Sequence, residues 1–366
     1  MTSHRIARLN QLAAANNLDC VAIMPGPNMQ YFTGLSFHLS ERPTLALLPR
    51  ASQPALVLPA FEASKLERSS IEWRAFTFVD GQDPLEAFQA ASEAVGLSGA
   101  RLGVEELTMR VRELRLLQEA APGAVCEDAD QLIAALRMIK DRSEIDAMRR
   151  AIRITEEALD DVVDVVRAGM TERQVANELL MALMRRGADG IAFEPLIQSG
   201  PNAALPHLTS TERVIQSGEG LLLDFGITID GYNSDITRTF AVGEPSAEFK
   251  RIYNLAKQAN AAGRAAAKPG ATGQDIDRAT RKVIVDAGYG DNFTHRTGHG
   301  LGLQGHEPPY IVEGNDVPLM AGNTLTVEPG IYISGIGGVR IEDDVLITDD
   351  GAESLTTYDR ELTVIG

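Results

Sequence analysis

Cysteine is almost missing from this chain. Cys20 and Cys126 are the only two, they form no CxxC pairing, and they fit thiols of a reducing compartment better than a disulfide framework. Positive charge is also short: 34 Lys and Arg stand against 51 Asp and Glu, a formal net charge of -17. With no basic patch, neither nucleic acid nor an anionic membrane is expected as a partner. Long apolar runs are lacking too. The first, Val21 to Met24, stops at Pro25, too short for a signal core or a membrane span, so the cytoplasm is the expected location. Histidine numbers only six, which makes any clustering of it informative.

What is present is an ordinary globular composition, 44% apolar and 23% charged, over a length that exceeds one hydrophobic core and predicts two domains. The excess carboxylate is either a solvated surface or a set of acids gathered around divalent cations, and composition alone does not separate the two. The pattern is α/β throughout. A helix over 3–17, a strand over 19–24, a strand pair at 44–48 and 55–58, a helix over 86–95, a strand at 101–104 and a helix over 107–119 follow from apolar spacing and turn residues. The expected organisation is an N-terminal domain over 1–127, a helical linker over 128–142 and a second domain over 143–366.

In the second domain, Asp141 with Glu144 and Thr171 with Gln174 offer two capping boxes ahead of helices. Leu221 to Ile229 and Ile236 to Val242 are β-prone runs around Asp230-Gly231, a strong hairpin signal. Two more helices, over 246–267 and 273–287, precede a second strand pair at 324–333 and 338–347. Two helices and then a hairpin carrying two acids therefore occur twice. Asp224 and Glu328 are 104 residues apart and Asp235 and Glu342 are 107 apart, which suggests an internal duplication with the acids as equivalent pairs.

An unpaired carboxylate inside the apolar strand Leu221-Leu222-Leu223-Asp224-Phe225 would be costly if buried, so it needs compensation. A turn on Asp230-Gly231 places Asp224 opposite Thr237, with Asp235 on the same face. The bland alternative is a turn-capping and a surface Asp. Glu328 and Glu342 repeat the pattern, facing each other across an odd-numbered loop. His295, His299 and His306 fall within twelve residues, and Gly298 and Gly300 around His299 allow close approach to a site. Four carboxylates and one imidazole make a hard, oxygen-dominated set. They suit two divalent ions about 3.5 to 4 Å apart rather than a thiolate or three-histidine site, with manganese first and cobalt, iron or zinc possible.

These motifs, Leu223-Asp224-Phe225-Gly226, Gly231 to Thr239, Thr297-Gly298-His299-Gly300, Val327-Glu328-Pro329-Gly330 and Gly338-Val339-Arg340-Ile341-Glu342-Asp343, resemble in kind and order those of the prolidase and aminopeptidase P family. That family belongs to the creatinase and methionine aminopeptidase superfamily. The resemblance implies a creatinase-like α/β N-terminal domain, a pseudo-symmetric pita-bread catalytic domain and cleavage of Xaa-Pro bonds in short proline-containing peptides. Asp224, Asp235, His299, Glu328 and Glu342 match the family's metal ligands, with Asp235 and Glu342 as the bridging carboxylates. Glu328 also matches its proton shuttle, His306 and His207 its catalytic histidines, and His295 and Arg340 positions that support the ligands or touch the substrate. Related enzymes shape the cleft with N-terminal loops, here near Phe37, His38 and Arg42, sometimes across a homodimer, and a homodimer is expected here. Two departures bear on the substrate. Arg296 stands where many prolidases have a small residue, and Tyr310 where similar prolidases often hold an arginine for the dipeptide carboxylate. The expectation is an Xaa-Pro dipeptidase, with an aminopeptidase P, a small-molecule amide hydrolase and a non-catalytic peptide-binding relative as alternatives.

Overall fold

Short apolar runs alternating with amphipathic helices give the first unit, Met1–Arg137, of the computed structural model, which describes residues 2–366. Its six-stranded sheet has the order Arg74–Phe78, Ala55–Pro59, Leu45–Pro49, Cys20–Ile23, Arg101–Val104, Val125–Asp128. Cys20–Ile23 runs antiparallel to Leu45–Pro49 and parallel to Arg101–Val104. These three inner strands are almost wholly buried, as continuous apolar runs require. The expected pair at 44–48 and 55–58 forms, antiparallel. Neither edge strand carries the continuous apolar signal of a central strand: Arg74–Phe78 alternates between partly buried and exposed positions, and Val125–Asp128 is exposed at both ends. The helix expected from 107 starts at Val111.

The second unit, Met138–Gly366, opens on the helix Arg142–Val163. Both halves of its capping box are made: the Glu144 N–H donates to Asp141 Oδ1 at 3.0 Å and the Asp141 N–H to Glu144 Oε2 at 2.8 Å. Thr171 and Gln174 close a second box before Glu172–Arg185. A second helix pair, Ala247–Ala266 and Gly273–Asp286, follows, each capped by a hydroxyl residue, Ser246 and Thr272.

Each helix pair belongs with one sheet. In the first, Glu219–Phe225 pairs antiparallel with both Ile236–Val242 and Leu196–Ser199. In the second, Thr324–Val327 pairs antiparallel with Asp343–Ile347 and bridges to Gly298–Gly300, which pairs in turn with Glu307–Ile311. Helix-to-sheet cores form around Leu159, Leu179, Leu221 and Phe225 in one half, and around Ile276, Leu325, Val327 and Val345 in the other. The repeated order legible in the sequence is thus a repeated architecture, and it turns the two acid-bearing hairpins towards one place.

Candidate metal centre

The first hairpin turns on two residues with positive φ, Asp230 at 53° and Gly231 at 83°, the conformation that favours Asp-Gly in a tight hairpin. That turn sets the register: Ile229 pairs with Tyr232 and, further along, Asp224 with Thr237. Asp235 falls at the break between strands, opposite Gly226. A Cβ on Gly226 would lie 1.9 Å from the Ser234 carbonyl oxygen, so only glycine admits this close crossing.

The second hairpin has two stretches of pairing in a single register, Val327 with Asp343 and Gly330 with Arg340. Glu328 and Glu342 face one another in the gap between them. Pro329, which lacks an N–H, stands at this break. The loop at the tip, between Ile333 and Gly337, has three residues, the odd number that the facing acids require.

The four acids and His299 converge. Ligand atoms of Asp224, Asp235 and Glu342 lie within 4.8 Å of one another, as do those of His299, Glu328 and Glu342, and those of Asp235, His299 and His306. Glu342 belongs to two of these sets and so does Asp235, which is the sharing that a dinuclear centre needs. A dinuclear metal-binding cluster of Asp, Glu and His is therefore present.

Three observations show that these residues fit cations. Asp224 Oδ1 is buried without a hydrogen-bond partner, an acceptor that only a cation or a donor from outside the chain satisfies. His299 Nδ1 lies 3.1 Å from the Gly300 carbonyl and so carries the ring proton; its bare Nε2 points to Glu328 Oε1 at 3.4 Å and Asp235 Oδ2 at 3.7 Å. The acids also repel one another. Burial first, and then the neighbouring carboxylates, raise Asp235 and Glu342 well above the carboxylate range. Burial pushes Glu328 up to about 8, against the pull of Arg340 and with the push of Asp224. Burial likewise lowers His299 to about 3, so its imidazole is neutral, the form that ligates.

Around the cluster runs a hydrogen-bonded chain. Arg340 Nη1 donates to Tyr332 Oη at 2.8 Å, the Tyr332 hydroxyl to His295 Nε2 at 2.8 Å, and His295 Nδ1 to the Arg296 carbonyl at 2.7 Å. Arg340 also pairs with Asp224 and donates through Nε to Thr237 Oγ1 at 3.1 Å, while Thr237 donates to Glu342 Oε2 at 2.5 Å. With all its nitrogens engaged, Arg340 holds ligands in place. His295, lowered to about 3 by burial and then by Arg340, is a neutral link in that chain.

A cavity of about 720 Å³ opens over the acids, lined by the five candidate ligands, by His207, His295, His306, Arg296 and Arg340, and by Ala192, Phe193, Leu196, Pro206, Gln304 and Gly305. The His306 ring lies 4.0 Å from that of His299. Tyr310 is not among the lining residues. It is 37% exposed, and its ring lies 4.6 Å from the Arg296 guanidinium. Sequence reasoning missed Tyr332, Thr237 and the apolar wall at Ala192, Phe193 and Leu196. The wall lies in an irregular stretch without periodicity, whereas Tyr332 shared a run with Glu328 and was open to suspicion.

A two-unit α/β chain whose duplicated second half centres on a dinuclear Asp/Glu/His cluster is the architecture of a metal-dependent hydrolase. Comparison with known proteins gives the family. The profile of metallopeptidase family M24 matches residues 146–349 and that of the creatinase/prolidase N-terminal domain residues 5–139. The chain belongs to family M24 of the creatinase/prolidase superfamily, with a creatinase-like α/β domain followed by a pita-bread catalytic domain. It is 35% identical to the Xaa-Pro dipeptidase of Lactobacillus helveticus, covering 98% of each chain. Its fold matches the dipeptidase PepE of Mycobacterium ulcerans with a TM-score of 0.92 at 36% identity, over 100% of this chain and 98% of that one. It also matches the X-Pro aminopeptidase of Thermotoga maritima with a TM-score of 0.86 at 32% identity, over 98% and 99%.

Proposed function

We propose that this chain is a dinuclear metallopeptidase that cleaves Xaa-Pro bonds in short peptides, dipeptides ahead of longer ones. The observation that carries the reading is the pair of ligand sets joined through Glu342, on the floor of a cavity sized for a small substrate. Asp224, Asp235, His299, Glu328 and Glu342 would hold two divalent cations, manganese first, with cobalt, zinc or iron able to substitute. Such ions supply an activated water near neutral pH and a polarised carbonyl.

The chain's own residues do the rest. Glu328, which lines the cavity with its side chain 14% exposed, takes a proton at its carboxylate from the attacking water and returns it to the proline nitrogen as the C–N bond breaks. His306 and His207 line the cavity and donate hydrogen bonds to the carbonyl oxygen as negative charge develops on it. Arg340 and His295 keep Asp224 and the Tyr332 hydroxyl in place. Phe193, Leu196 and Pro206 give the cavity an apolar wall, which suits a pyrrolidine ring.

The preference for dipeptides rests on Arg296. It lines the cavity, stacks over Tyr310 and makes no salt bridge among the described residues, so it offers a charge-assisted hydrogen bond to a free C-terminal carboxylate. The relatives named for dipeptidase activity support this length, and the Thermotoga X-Pro aminopeptidase supports the alternative of an aminopeptidase P on longer peptides. A homodimer acting in the cytoplasm completes the proposal. No helix of the described residues is long and apolar enough to cross a membrane.

The test is a peptide panel with added manganese. Cleavage of Xaa-Pro with none of Xaa-Pro-Yaa is the expected result. The reverse result defeats the dipeptidase reading in favour of the aminopeptidase, and no cleavage of either defeats both.

A further inference from the structure

His207 occupies an unusual place among the residues facing the cavity. The other histidines of the site sit on or beside strands, whereas His207 is exposed on an irregular loop that follows the short 3-10 turn Gly200–Ala204. Nothing in a strand ladder holds it there. What holds the loop is a carboxylate about which sequence motifs say nothing.

Glu172 is the first residue of the helix Glu172–Arg185 and is fully buried. Its Oε1 accepts from the Ser199 N–H at 2.8 Å, the Ser199 hydroxyl at 2.9 Å and Asn202 Nδ2 at 3.0 Å. Its Oε2 accepts from the Thr211 N–H at 3.0 Å, the Thr211 hydroxyl at 2.6 Å and Asn202 Nδ2 at 3.1 Å. One carboxylate therefore ties Ser199 to Thr211, the two ends of the loop that carries His207. A second buried side chain works from below: Gln198 Nε2 donates to the carbonyls of Leu205 at 3.0 Å and Leu208 at 2.8 Å, on either side of His207. The loop also lies on the strand that leads to Glu342. A Cβ at Gly338 would come within 1.9 Å of the Ala203 carbonyl oxygen, so the close approach of loop and strand is built into both segments.

A buried carboxylate with five donor groups is an expensive way to close a loop, since apolar contacts would do so without desolvating a charge. What directional bonds to an ion add is orientation. We propose that Glu172 is a positioning residue for His207: by joining Ser199 to Thr211 it fixes the loop in the one arrangement that aims the imidazole into the cavity. The inference rests on the peptidase reading above, in which His207 stabilises charge on the substrate carbonyl.

A double-mutant cycle on the metal-loaded enzyme tests it. Glu172→Gln keeps the size of the side chain but replaces one acceptor oxygen with a donor amide; Thr211→Val, which removes a single hydroxyl, serves if Glu172→Gln does not fold. Xaa-Pro hydrolysis is measured for wild type, His207→Ala, Glu172→Gln and the double variant, with hydrogen exchange followed over 199–211. The expected result is a fall in kcat/KM of roughly 10- to 100-fold in each single variant. The double variant is expected to lie within about twofold of His207→Ala. Faster exchange is expected across the loop, with the helix Arg142–Val163 unchanged. A residue that merely stabilises the fold would lower activity by the same factor whether or not His207 is present, and that result overturns the proposal. So do wild-type activity in Glu172→Gln, wild-type activity in His207→Ala, or exchange over 199–211 that does not change. A wild-type enzyme that cleaves no proline peptide refutes the underlying reading instead, and the exchange measurement still decides whether Glu172 orders the loop.

Discussion

Two arginines face the same cavity in opposite circumstances. Arg340 is buried and committed: Asp224, Tyr332 and Thr237 take up its nitrogens, and although burial works against its charge, Tyr332 and the nearby acids hold the guanidinium protonated. Arg296 is half-buried, stacks over Tyr310 and makes no salt bridge among the described residues. An uncommitted cation at a wet cavity wall is available to a substrate, whereas a saturated one is not. Replacing Arg296 by Met keeps the stacked stem and removes the charge. The expected outcome is a rise of roughly 10- to 100-fold in KM for an Xaa-Pro dipeptide, the size of a lost charge-assisted hydrogen bond, with kcat much less affected. Steady-state kinetics on dipeptides and on their C-terminal amides check it, since the amides should lose nothing. In the sequence, Arg340 stood out because it shares a motif with Glu342, while Arg296 was visible only as a departure from one.

At the scale of elements, the hairpins were the most legible part of the chain. Asp230-Gly231 dictates a two-residue turn, the turn dictates register, and the register dictates that Asp224 meets Thr237. That inference runs through local backbone geometry alone. The edge strand Arg74–Phe78 and the short inner strand Gly298–Gly300 did not announce themselves, because the first is half exposed and the second is made mainly of glycine. What ties the two halves of the second unit together was equally hidden. Arg238, buried on the strand Ile236–Val242, pairs with Asp343 Oδ1 at 2.7 Å and donates to the carbonyls of Glu342, Tyr358 at 2.9 Å and Asp359 at 3.0 Å. Burial opposes the Asp343 charge, but Arg238 and Arg360 outweigh it and hold the carboxyl below its ordinary range. Removing Arg238 leaves Asp343 to Arg360 and strips the buried carbonyls of Glu342, Tyr358 and Asp359 of a donor, so Arg238→Met is expected to cost roughly 1–3 kcal/mol of stability. Chemical denaturation followed by far-UV circular dichroism would show it as a lower midpoint at an unchanged m-value.

For the whole molecule, the cluster of acids makes stability a function of both pH and metal. Burial raises the carboxyls of Asp235, Glu342 and Glu328, the last to about 8, so the metal-free folded state binds more protons than the unfolded one. Stability from this source is present at low pH and is lost as pH rises through the folded values. His295 and His299 act in the opposite sense: lowered to about 3, they cost stability as pH falls below their ordinary 6.5. Between about pH 7 and 8 the histidine contribution is nearly complete, and Glu328, at about 8, is the group of this set whose folded value lies at the interval. The melting temperature of chelator-treated protein is therefore expected to fall across that interval, while protein saturated with manganese stays level, because bound cations compensate the ionised carboxylates and favour the folded state. Calorimetry with and without metal at pH 7 and 8 tests this. A metal-free melting temperature that rises over the interval would show that the acids are not coupled to folding.

That cluster marks the division between sequence and tertiary structure. The sequence alone determined the two capping boxes, the hairpin register, the repeated order of elements and the identity of four acids and a histidine that had to be compensated, because each follows from local geometry or from the cost of burying charge. Only the tertiary structure decided that the two hairpins share one cavity. It also decided that Arg340 is saturated while Arg296 is not, that Tyr310 sits outside the cavity lining under Arg296, and that Glu172 closes the loop carrying His207. These depend on contacts between residues far apart in the chain, and the side chains that make them, a glutamate at a helix start or a tyrosine in a strand, carry the same local signal whether or not such a contact exists.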